Sequence, residues 1–358
     1  MPRIRPTTQR LRCAGRTLSL GPRLAPGCSP GTRVQYACRM PIPIVLDVDT
    51  GVDDAMAILF AVRHPGLEVL GISCVAGNAP LAQVVDNTLR ILDAAGAPEE
   101  LPVAAGAVRP LLEPPRAARH VHGPAGLGDL VLPPTRRQAT EESAVQLMRR
   151  LILEHPTPVT LVALAPQTNL ALLLRTYPEV AGNLERIVFM GGSASVGNAT
   201  AVAEFNVWHD PEAAAIVLDS NVPTYMYGLD VFNRVAVDHD IAVALEHGDD
   251  ALGRVVGTLL GHRVALSEDE RAEYTGLIGD AGAVCSLVDP LALRTEVLPV
   301  RVELAGYGRG QTLVDLRERS RGESMVQARP DEWTSVEVAL EVDGERLARL
   351  FLDTLGLG

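Results

Sequence analysis

Four aspartates lie close together near the first apolar segment and could bind a metal ion or take part in acid–base chemistry. Asp47, Asp49, Asp53 and Asp54 fall within eight positions, directly after the apolar run at residues 44–46. Acidic residues also favour the first turn of a helix, which would account for one or two of them. Carboxylates at this density repel one another unless a positive charge lies among them. A hard divalent cation that prefers oxygen ligands is the simplest such charge.

The pattern around these aspartates predicts a strand, a turn and a helix. Residues 44–46 have the composition of a short buried strand, and Gly51 gives the backbone freedom to turn. An apolar helical face follows at once, formed by Ala55, Ile58, Leu59 and Val62. The aspartates are therefore expected at the carboxyl end of a buried strand.

Predicted strands and helices alternate along most of the remaining chain. This alternation predicts an α/β fold with a single open, mostly parallel twisted sheet and helices on both faces. Ligands of such sheets bind at the carboxyl ends of the strands. Polar groups follow several predicted strands: Asp49, Asn78, a turn at residues 164–169 and a segment at residues 190–206. We expect these groups to form one composite site.

The composition limits the possible partners and chemistry. The chain has 358 residues and a formal net charge of -12, which disfavours a nucleic-acid partner. It has no lysine, since all 32 basic residues are arginine, so a catalytic lysine is excluded. Its five cysteines show no CxxC spacing, which is typical of a reducing, cytoplasmic location. No apolar run is long enough for a membrane span.

Residues 1–40 differ from the rest of the chain. They contain eight arginines and no acidic residue, and they show neither helical nor strand periodicity. We expect a disordered Arg-rich extension or a misassigned start, with translation beginning at Met40; an organelle transit peptide is the alternative. Residues 41–358 are expected to form one domain.

Several motifs together resemble those of one known family. The stretch DVDTGVDDAMAI, which begins at Asp47, resembles the DTDPGIDDAxAI fingerprint of the calcium-dependent nucleoside hydrolases of the inosine–uridine-preferring type. Four further pieces agree in order with this family: residues 76–78, residues 165–169, the MGG…AEFN segment at residues 190–206, and Asp289-Pro290. The resemblance runs from about Met40 to the C-terminus and implies the nucleoside hydrolase fold.

The resemblance also implies an activity and a role for each matched residue. It implies hydrolysis of the N-glycosidic bond of a ribonucleoside by a water bound to Ca²⁺, in a homodimer or homotetramer. Asp49, Asp54, Asp289 and the main-chain carbonyl of Leu164 would bind the ion. Asp49 would act as general base and Asn78 would orient groups near the water. Substrate contacts would come from Asp53, Met190, Asn198, Glu204 and Asn206, with His122 as a further candidate.

One position departs from the family pattern. Many members have a histidine directly before the late aspartate, where it helps to protonate the leaving base, and Val288 occupies that position here. His120, His122, Tyr274 and Arg234 are chemical alternatives as donors. The departure leaves the preferred base open, and it leaves a weakly active nucleoside-binding protein as an alternative function. A haloacid-dehalogenase-like phosphatase is disfavoured because that family needs a later basic residue, normally lysine.

Overall fold

The sheet is the central element of the fold. A computed structural model describes residues 40–262, 276–317 and 333–358, and Met40–Gly358 forms one compact unit. Nine strands form one sheet in the order β3-β2-β1-β4-β5-β6-β9-β7-β8. The strands are β1 (Ile42–Val48), β2 (Leu67–Cys74), β3 (Val103–Ala105), β4 (Val159–Ala163), β5 (Leu184–Met190), β6 (Thr224–Tyr227), β7 (Leu293–Val302), β8 (Thr312–Val314) and β9 (Thr334–Val342).

Helices connect the strands and cover the sheet. They are α1 (Val52–Arg63), α2 (Leu81–Ala95), α3 (Arg119–His122), α4 (Ala144–Glu154), α5 (Thr168–Thr176), α6 (Phe205–His209), α7 (Pro211–Leu218), α8 (Leu229–Phe232), α9 (His239–Glu246), α10 (Ala251–Leu260), α11 (Asp280–Val288) and α12 (Gly344–Leu355). Among the described residues, no helix combines the length and the apolar composition needed to cross a membrane.

Alternation along β1 shows how the two faces of the sheet are covered. Ile44, Leu46 and Val48 pack in a core with α1, α2, α11 and α12, whereas Val45 packs in a second core with α4, α5 and α7. Successive side chains of a strand point to opposite faces, so a strand buried on both sides is apolar throughout. The predicted mostly parallel sheet with helices on both faces is therefore confirmed.

The strand register brings the expected polar segments to one edge of the sheet. β1 is an interior strand that pairs in parallel with β2 and β4, and Asp47 lies opposite both Ser73 and Ala163. β4 pairs in parallel with β5, and β5 pairs in parallel with β6. The antiparallel pairs involve β7, which lies between β9 and β8. The segments that follow β1, β2, β4 and β5 consequently meet at the same edge.

Two sequence predictions concern residues outside the described part of the chain. The extension or misassigned start at residues 1–40 lies outside them, apart from Met40. The same holds for Tyr274.

Candidate active site

The turn between β1 and α1 holds two buried carboxylates in a fixed orientation. Gly51 is the N-cap of α1, and the Asp54 side chain accepts hydrogen bonds from the backbone N–H groups of Gly51 (2.9 Å) and Asp49 (3.2 Å). The bond from Gly51 satisfies the N-cap donor of α1, and the bond from Asp49 fixes the preceding turn on the same carboxylate. A Cβ on residue 51 would lie 2.6 Å from the Nδ1 atom of His122, so the position requires glycine. Asp54 therefore both caps α1 and remains available as a residue of the candidate site.

Asn78 connects the end of β2 to the same carboxylates. Its backbone N–H donates to Oδ2 of Asp49 (2.6 Å), and its side-chain amide donates to Asp49 Oδ1 (3.1 Å) and Asp54 Oδ2 (3.2 Å). Gly77 lets the chain approach this closely, because a Cβ there would collide with the Asp49 carboxylate. The structure therefore brings together Asp49, Asp54 and Asn78, as the sequence predicts.

A third region of the chain adds Asp280, which sequence reasoning missed. Carboxylate oxygens of Asp53, Asp54 and Asp280 lie within 4.8 Å of one another and could hold a metal ion. Asp280 is the first residue of α11 and is buried. The only sequence signal for it is an aspartate between a glycine and an apolar helix, as in the sequence IGDAGAV that begins at Ile278.

The expectation that Asp289 joins this cluster needs correction. Asp289 follows the last residue of α11, whereas Asp280 begins the helix. Nine helical residues at about 1.5 Å each separate the two by roughly 13 Å. Both oxygens of Asp289 instead pair with the Arg346 guanidinium, at 2.6 and 2.7 Å. Asp280 therefore occupies the place in the cluster that was predicted for Asp289.

The position before the late aspartate changes with this correction. The residue directly before Asp280 is Gly279, so Val288 is not the position that corresponds to the family's histidine. Gly279 has φ +54, and a Cβ there would lie 2.5 Å from the Cβ of Asp53. This position still offers no proton donor, because glycine has no side chain.

Burial and mutual repulsion raise the pKa values of Asp49, Asp54 and Asp280. Burial is the main cause of the increase for Asp54, whose pKa rises to about 7, and the charge of Asp53 adds to it. Burial, followed by the charge of Asp54, raises the pKa of Asp49 well above its ordinary value. Burial and the charges of Asp53 and Asp54 do the same for the pKa of Asp280. A cation among these groups would offset the repulsion and favour their ionised forms.

Four further predicted residues come together where β4 and β5 end: Leu164 follows β4, Met190 ends β5, and Glu204 and Asn206 lie at the start of α6. Asn206 donates its side-chain amide to the carbonyl oxygens of Leu164 (3.0 Å) and Met190 (3.2 Å). Glu204 caps α6 by accepting hydrogen bonds from backbone N–H groups of Asn206 and Val207, and it also accepts one from Gly192. Burial raises the pKa of Glu204 to about 7. These contacts place the carbonyl of Leu164 beside Asn206, a predicted substrate-binding residue.

His122 lies near the acid cluster, whereas Asn198 is exposed. The Nδ1 atom of His122 accepts a hydrogen bond from the Val52 backbone N–H at 3.2 Å and lies 3.7 Å from Oδ1 of Asp53. Burial lowers the pKa of His122, so its ring is neutral at neutral pH. Asn198 is exposed, and its side-chain oxygen accepts a hydrogen bond from the backbone N–H of Phe205.

The other proposed proton donors differ in position. His120 and Arg234 are exposed. His122 is buried close to Asp53. Of these three candidates, His122 closely approaches a carboxylate of the cluster, with its Nδ1 atom 3.7 Å from Oδ1 of Asp53.

The fold and the site together define an α/β enzyme whose acidic, oxygen-rich centre lies at the carboxyl edge of a parallel sheet. The family described as inosine-uridine preferring nucleoside hydrolase matches residues 44–349, and the chain belongs to this family. It is an N-glycosidase that hydrolyses ribonucleosides to ribose and a free base.

Known proteins with similar sequences and structures support this membership. The chain is 38% identical over 278 residues to the pyrimidine-specific ribonucleoside hydrolase RihA of Citrobacter koseri, covering 77% of this chain and 89% of the relative. It is 35% identical over 319 residues to the inosine-uridine preferring nucleoside hydrolase of Crithidia fasciculata, covering 88% and 98%. A solved plant nucleoside hydrolase has a TM-score of 0.80 at 29% identity, covering 88% and 99%. The purine-preferring ribonucleoside hydrolase of Gardnerella vaginalis has a TM-score of 0.78 at 30% identity, covering 88% and 98%.

Proposed function

We propose that this enzyme is a Ca²⁺-dependent ribonucleoside hydrolase in which Asp49 is the general base. The observation that carries the proposal is the cluster formed by the half-buried Asp53 and the buried Asp54 and Asp280. The side chain of Asn78 links Asp49 to Asp54 of this cluster. Buried carboxylates without a compensating charge are costly, so a cluster of this kind favours a bound cation.

The donor set fits a hard dication. Asp49, Asp54 and Asp280 would bind it together with the carbonyl oxygen of Leu164, and all four groups offer oxygen, as Ca²⁺ prefers. Oδ1 of Asp53, which is buried and has no hydrogen-bond partner among the described residues, adds negative charge next to this set. A bound Ca²⁺ would supply positive charge that polarises a water molecule and orients sugar hydroxyl groups.

Asp49 has the surroundings expected of a general base. Its two carboxylate oxygens accept hydrogen bonds from the backbone and side chain of Asn78, which fix the plane of the carboxylate. Such a base would take a proton from the attacking water and contribute about 10²–10⁴-fold to the rate. Asn78 thereby acts as an orienting residue for this proton transfer.

The remaining polar groups suit a ribose in which positive charge develops. Cleavage of a glycosidic bond passes through an oxocarbenium-like sugar, which nearby carboxylates stabilise. Asp53 belongs to the acid cluster, Glu204 is the N-cap of α6, and Asn206 contacts the carbonyls of Leu164 and Met190 at the ends of β4 and β5. We assign hydroxyl contacts to these three residues, with Met190 packing against the sugar and Asn198 closing the 5′ side.

The leaving base has to gain a proton, and Gly279 cannot provide it. His122 lies 3.7 Å from Asp53 of the acid cluster, and its Nδ1 accepts a hydrogen bond from Val52, which leaves the single proton of the neutral ring on Nε2. We assign His122 the role of donating a hydrogen bond from Nε2–H to the leaving base. The base would take its proton from solvent, because a neutral imidazole that gave up this proton would become an anion.

Because the RihA relatives are named as pyrimidine-specific, we propose uridine and cytidine as substrates, with inosine as the comparison.

We also propose that the enzyme works in the cytoplasm as a homodimer or homotetramer. Cys74 and Cys285 are buried free thiols, which agrees with a reducing compartment. Light scattering of the purified full chain measures the assembly, and a monomer at micromolar concentration would contradict the oligomer.

The proposed function is tested by ribose release from uridine, cytidine and inosine. We expect turnover with Ca²⁺, loss of turnover after chelation, and recovery when Ca²⁺ is added back. Asp49→Ala should abolish release in a folded protein, whereas Asp86→Ala, which removes a surface carboxylate paired with Arg90, should leave it unchanged. Full activity in a metal-free preparation would overturn the metal assignment, and an active Asp49→Ala variant would overturn the base assignment.

A further inference from the structure

Asp47 is a buried carboxylate at the end of β1 that the proposed chemistry does not use. Its Oδ1 atom accepts hydrogen bonds from Oγ of Ser73 (2.6 Å) and Nδ2 of Asn169 (2.8 Å). It occupies the position two residues after Val45, which packs in the core with α4 and α5. The Asp47 carboxylate therefore interacts with the strand β2 and the helix α5 rather than sharing the metal-type cluster.

Asn169 connects this carboxylate to two other segments. Its Nδ2 atom also donates to the carbonyl of Cys74 at 3.0 Å, and its Oδ1 atom accepts from the backbone N–H of Ala107 at 2.9 Å. A Cβ on Gly106 would collide with the Asn169 amide, so the chain approaches this side chain as closely as it can. The amide is held from both sides and has one orientation.

The same two residues anchor the turn that carries Leu164. The backbone carbonyl of Asp47 accepts a hydrogen bond from the N–H of Leu164 at 2.8 Å, and the Asp47 side chain binds Asn169 at the other end of the turn. The carbonyl of Leu164 accepts a hydrogen bond from Asn206. Asp47 thus binds both ends of residues 164–169.

We propose that Asp47 and Asn169 are positioning residues that hold the Leu164 carbonyl where it can complete the metal-binding set. The inference rests on the proposed function, because it takes the Leu164 carbonyl to be a ligand of the metal ion. Burying Asp47 is costly, since its Oδ2 atom has no hydrogen-bond partner among the described residues. We attribute this costly burial to the role of Asp47 in fixing the turn that carries Leu164.

The size of the effect follows from the behaviour of groups that orient metal ligands. Loss of such a partner typically weakens metal affinity by about 10–100-fold. We expect Asp47→Ala and Asn169→Ala to raise the Kd for Ca²⁺ by that factor. Asp47→Asn keeps an acceptor oxygen for Ser73 and Asn169, so its Kd should stay within about threefold of the wild-type value.

The test is calorimetric titration of the full chain with Ca²⁺ alone, below the melting temperature of each variant. Ser73→Ala is the matched control, because it removes one hydrogen bond from the same Oδ1 atom but leaves the link to the 164–169 turn. Its Kd should also stay within about threefold of wild type. Hydrogen exchange of the peptide spanning residues 159–170 gives a second readout, and protection of the Leu164 amide should fall in Asn169→Ala and persist in Ser73→Ala.

Each outcome has a defined meaning. Wild-type protein that binds no Ca²⁺ would refute the proposed function. Wild-type binding with an unchanged Kd in a folded Asn169→Ala variant would refute the positioning role alone. Equal weakening by Ser73→Ala and Asn169→Ala would also refute it, since general destabilisation would then explain both. If Asn169→Ala does not fold, Asp47→Ala compared with Asp47→Asn decides the same question.

Discussion

The two ends of helix α11 carry aspartates with opposite surroundings. Asp280, at the beginning of the helix, is buried with Asp53 and Asp54 and has no cation in its described surroundings. Asp289, directly after the end of the helix, forms a two-bond ion pair with Arg346 near the surface. The same residue type is therefore a candidate metal ligand at one end and a paired surface charge at the other.

This difference follows from where the helix meets the sheet. The N-terminus of α11 lies beside the N-terminus of α1, which carries Asp54. The polar segments of the site meet there, at the carboxyl edge of the sheet. The C-terminal end lies next to α12, which supplies Arg346. Position relative to the sheet edge, and not the local Asp-Pro pattern, decides which aspartate belongs to the site.

The largest predicted contrast is in activity and metal affinity. Asp280→Asn should lower kcat/KM on the order of 10²–10³-fold, because it removes a charge from the reacting centre. Asp289→Asn changes a partly exposed ion pair at the other end of the helix from the cluster, and it should leave kcat/KM within about twofold. Steady-state kinetics at saturating Ca²⁺ make the comparison, and equal losses in the two variants would break the distinction between the two ends.

The next contrast concerns the space around Gly279, directly before the first residue of α11. Gly279→Ala should destabilise the protein by about 2–4 kcal/mol, because it combines positive φ with overpacking against Asp53. Gly356→Ala is the matched control: residue 356 has φ +75, but a Cβ there meets nothing within 4 Å. It should cost about 1–2 kcal/mol. Urea unfolding measures both values, and equal losses would show that residue 279 is not crowded.

A buried imidazole gives a third contrast, in pH dependence. Burial lowers the pKa of His209 from 6.5 to about 4, and neither ring nitrogen has a hydrogen-bond partner among the described residues. Between these two pH values the unfolded chain binds a proton that the folded protein does not. The folded state should therefore lose about 2–3 kcal/mol as the pH falls from 6.5 to 4.

Replacing His209 tests this origin of the acid sensitivity. His209→Leu should flatten the slope of unfolding free energy against pH between 4 and 6.5, measured by urea titration at each pH. His247→Leu, which replaces an exposed histidine, is the matched control variant. An unchanged slope in His209→Leu would assign the acid sensitivity to other groups.

The smallest predicted effect is a loss of stability at the C-terminal end of α11, where Asp289 pairs with Arg346. Arg346→Gln should cost about 0.5–1 kcal/mol at low salt, since a bidentate pair near the surface is screened and partly solvated. The cost should shrink in 0.5 M salt, while Ca²⁺ affinity stays unchanged. A large loss of Ca²⁺ affinity would mean that this end of the helix influences the metal site after all.

The parts of the site that the sequence predicts are local in the chain. Asp49, Asp54 and Gly51 follow one strand and begin one helix, so a short pattern determines their relative positions. The strand-end position of Asn78 was also predictable, because carboxyl ends of parallel strands meet at one edge. The resulting hydrogen bonds to Asp49 confirm that they lie together.

The parts that the sequence did not predict depend on distant contacts. Asp280 and Asp289 flank the same apolar helix, and no local pattern tells which end reaches the cluster. The contact of Asp47 with Asn169 spans 122 residues, and only the packing of α5 on β1 creates it. Assigning Asp289 as a ligand failed because the Asp-Pro motif matched in order while its spatial position was set by helix orientation.

Anomalous diffraction from crystals of the enzyme grown with Ca²⁺ would locate the metal ion directly. We expect a single ion whose protein ligands include Asp49, Asp54 and Asp280, with metal–oxygen distances of about 2.3–2.6 Å. No density among these carboxylates at saturating Ca²⁺, or an ion coordinated by Asp289 instead of Asp280, would contradict this expectation.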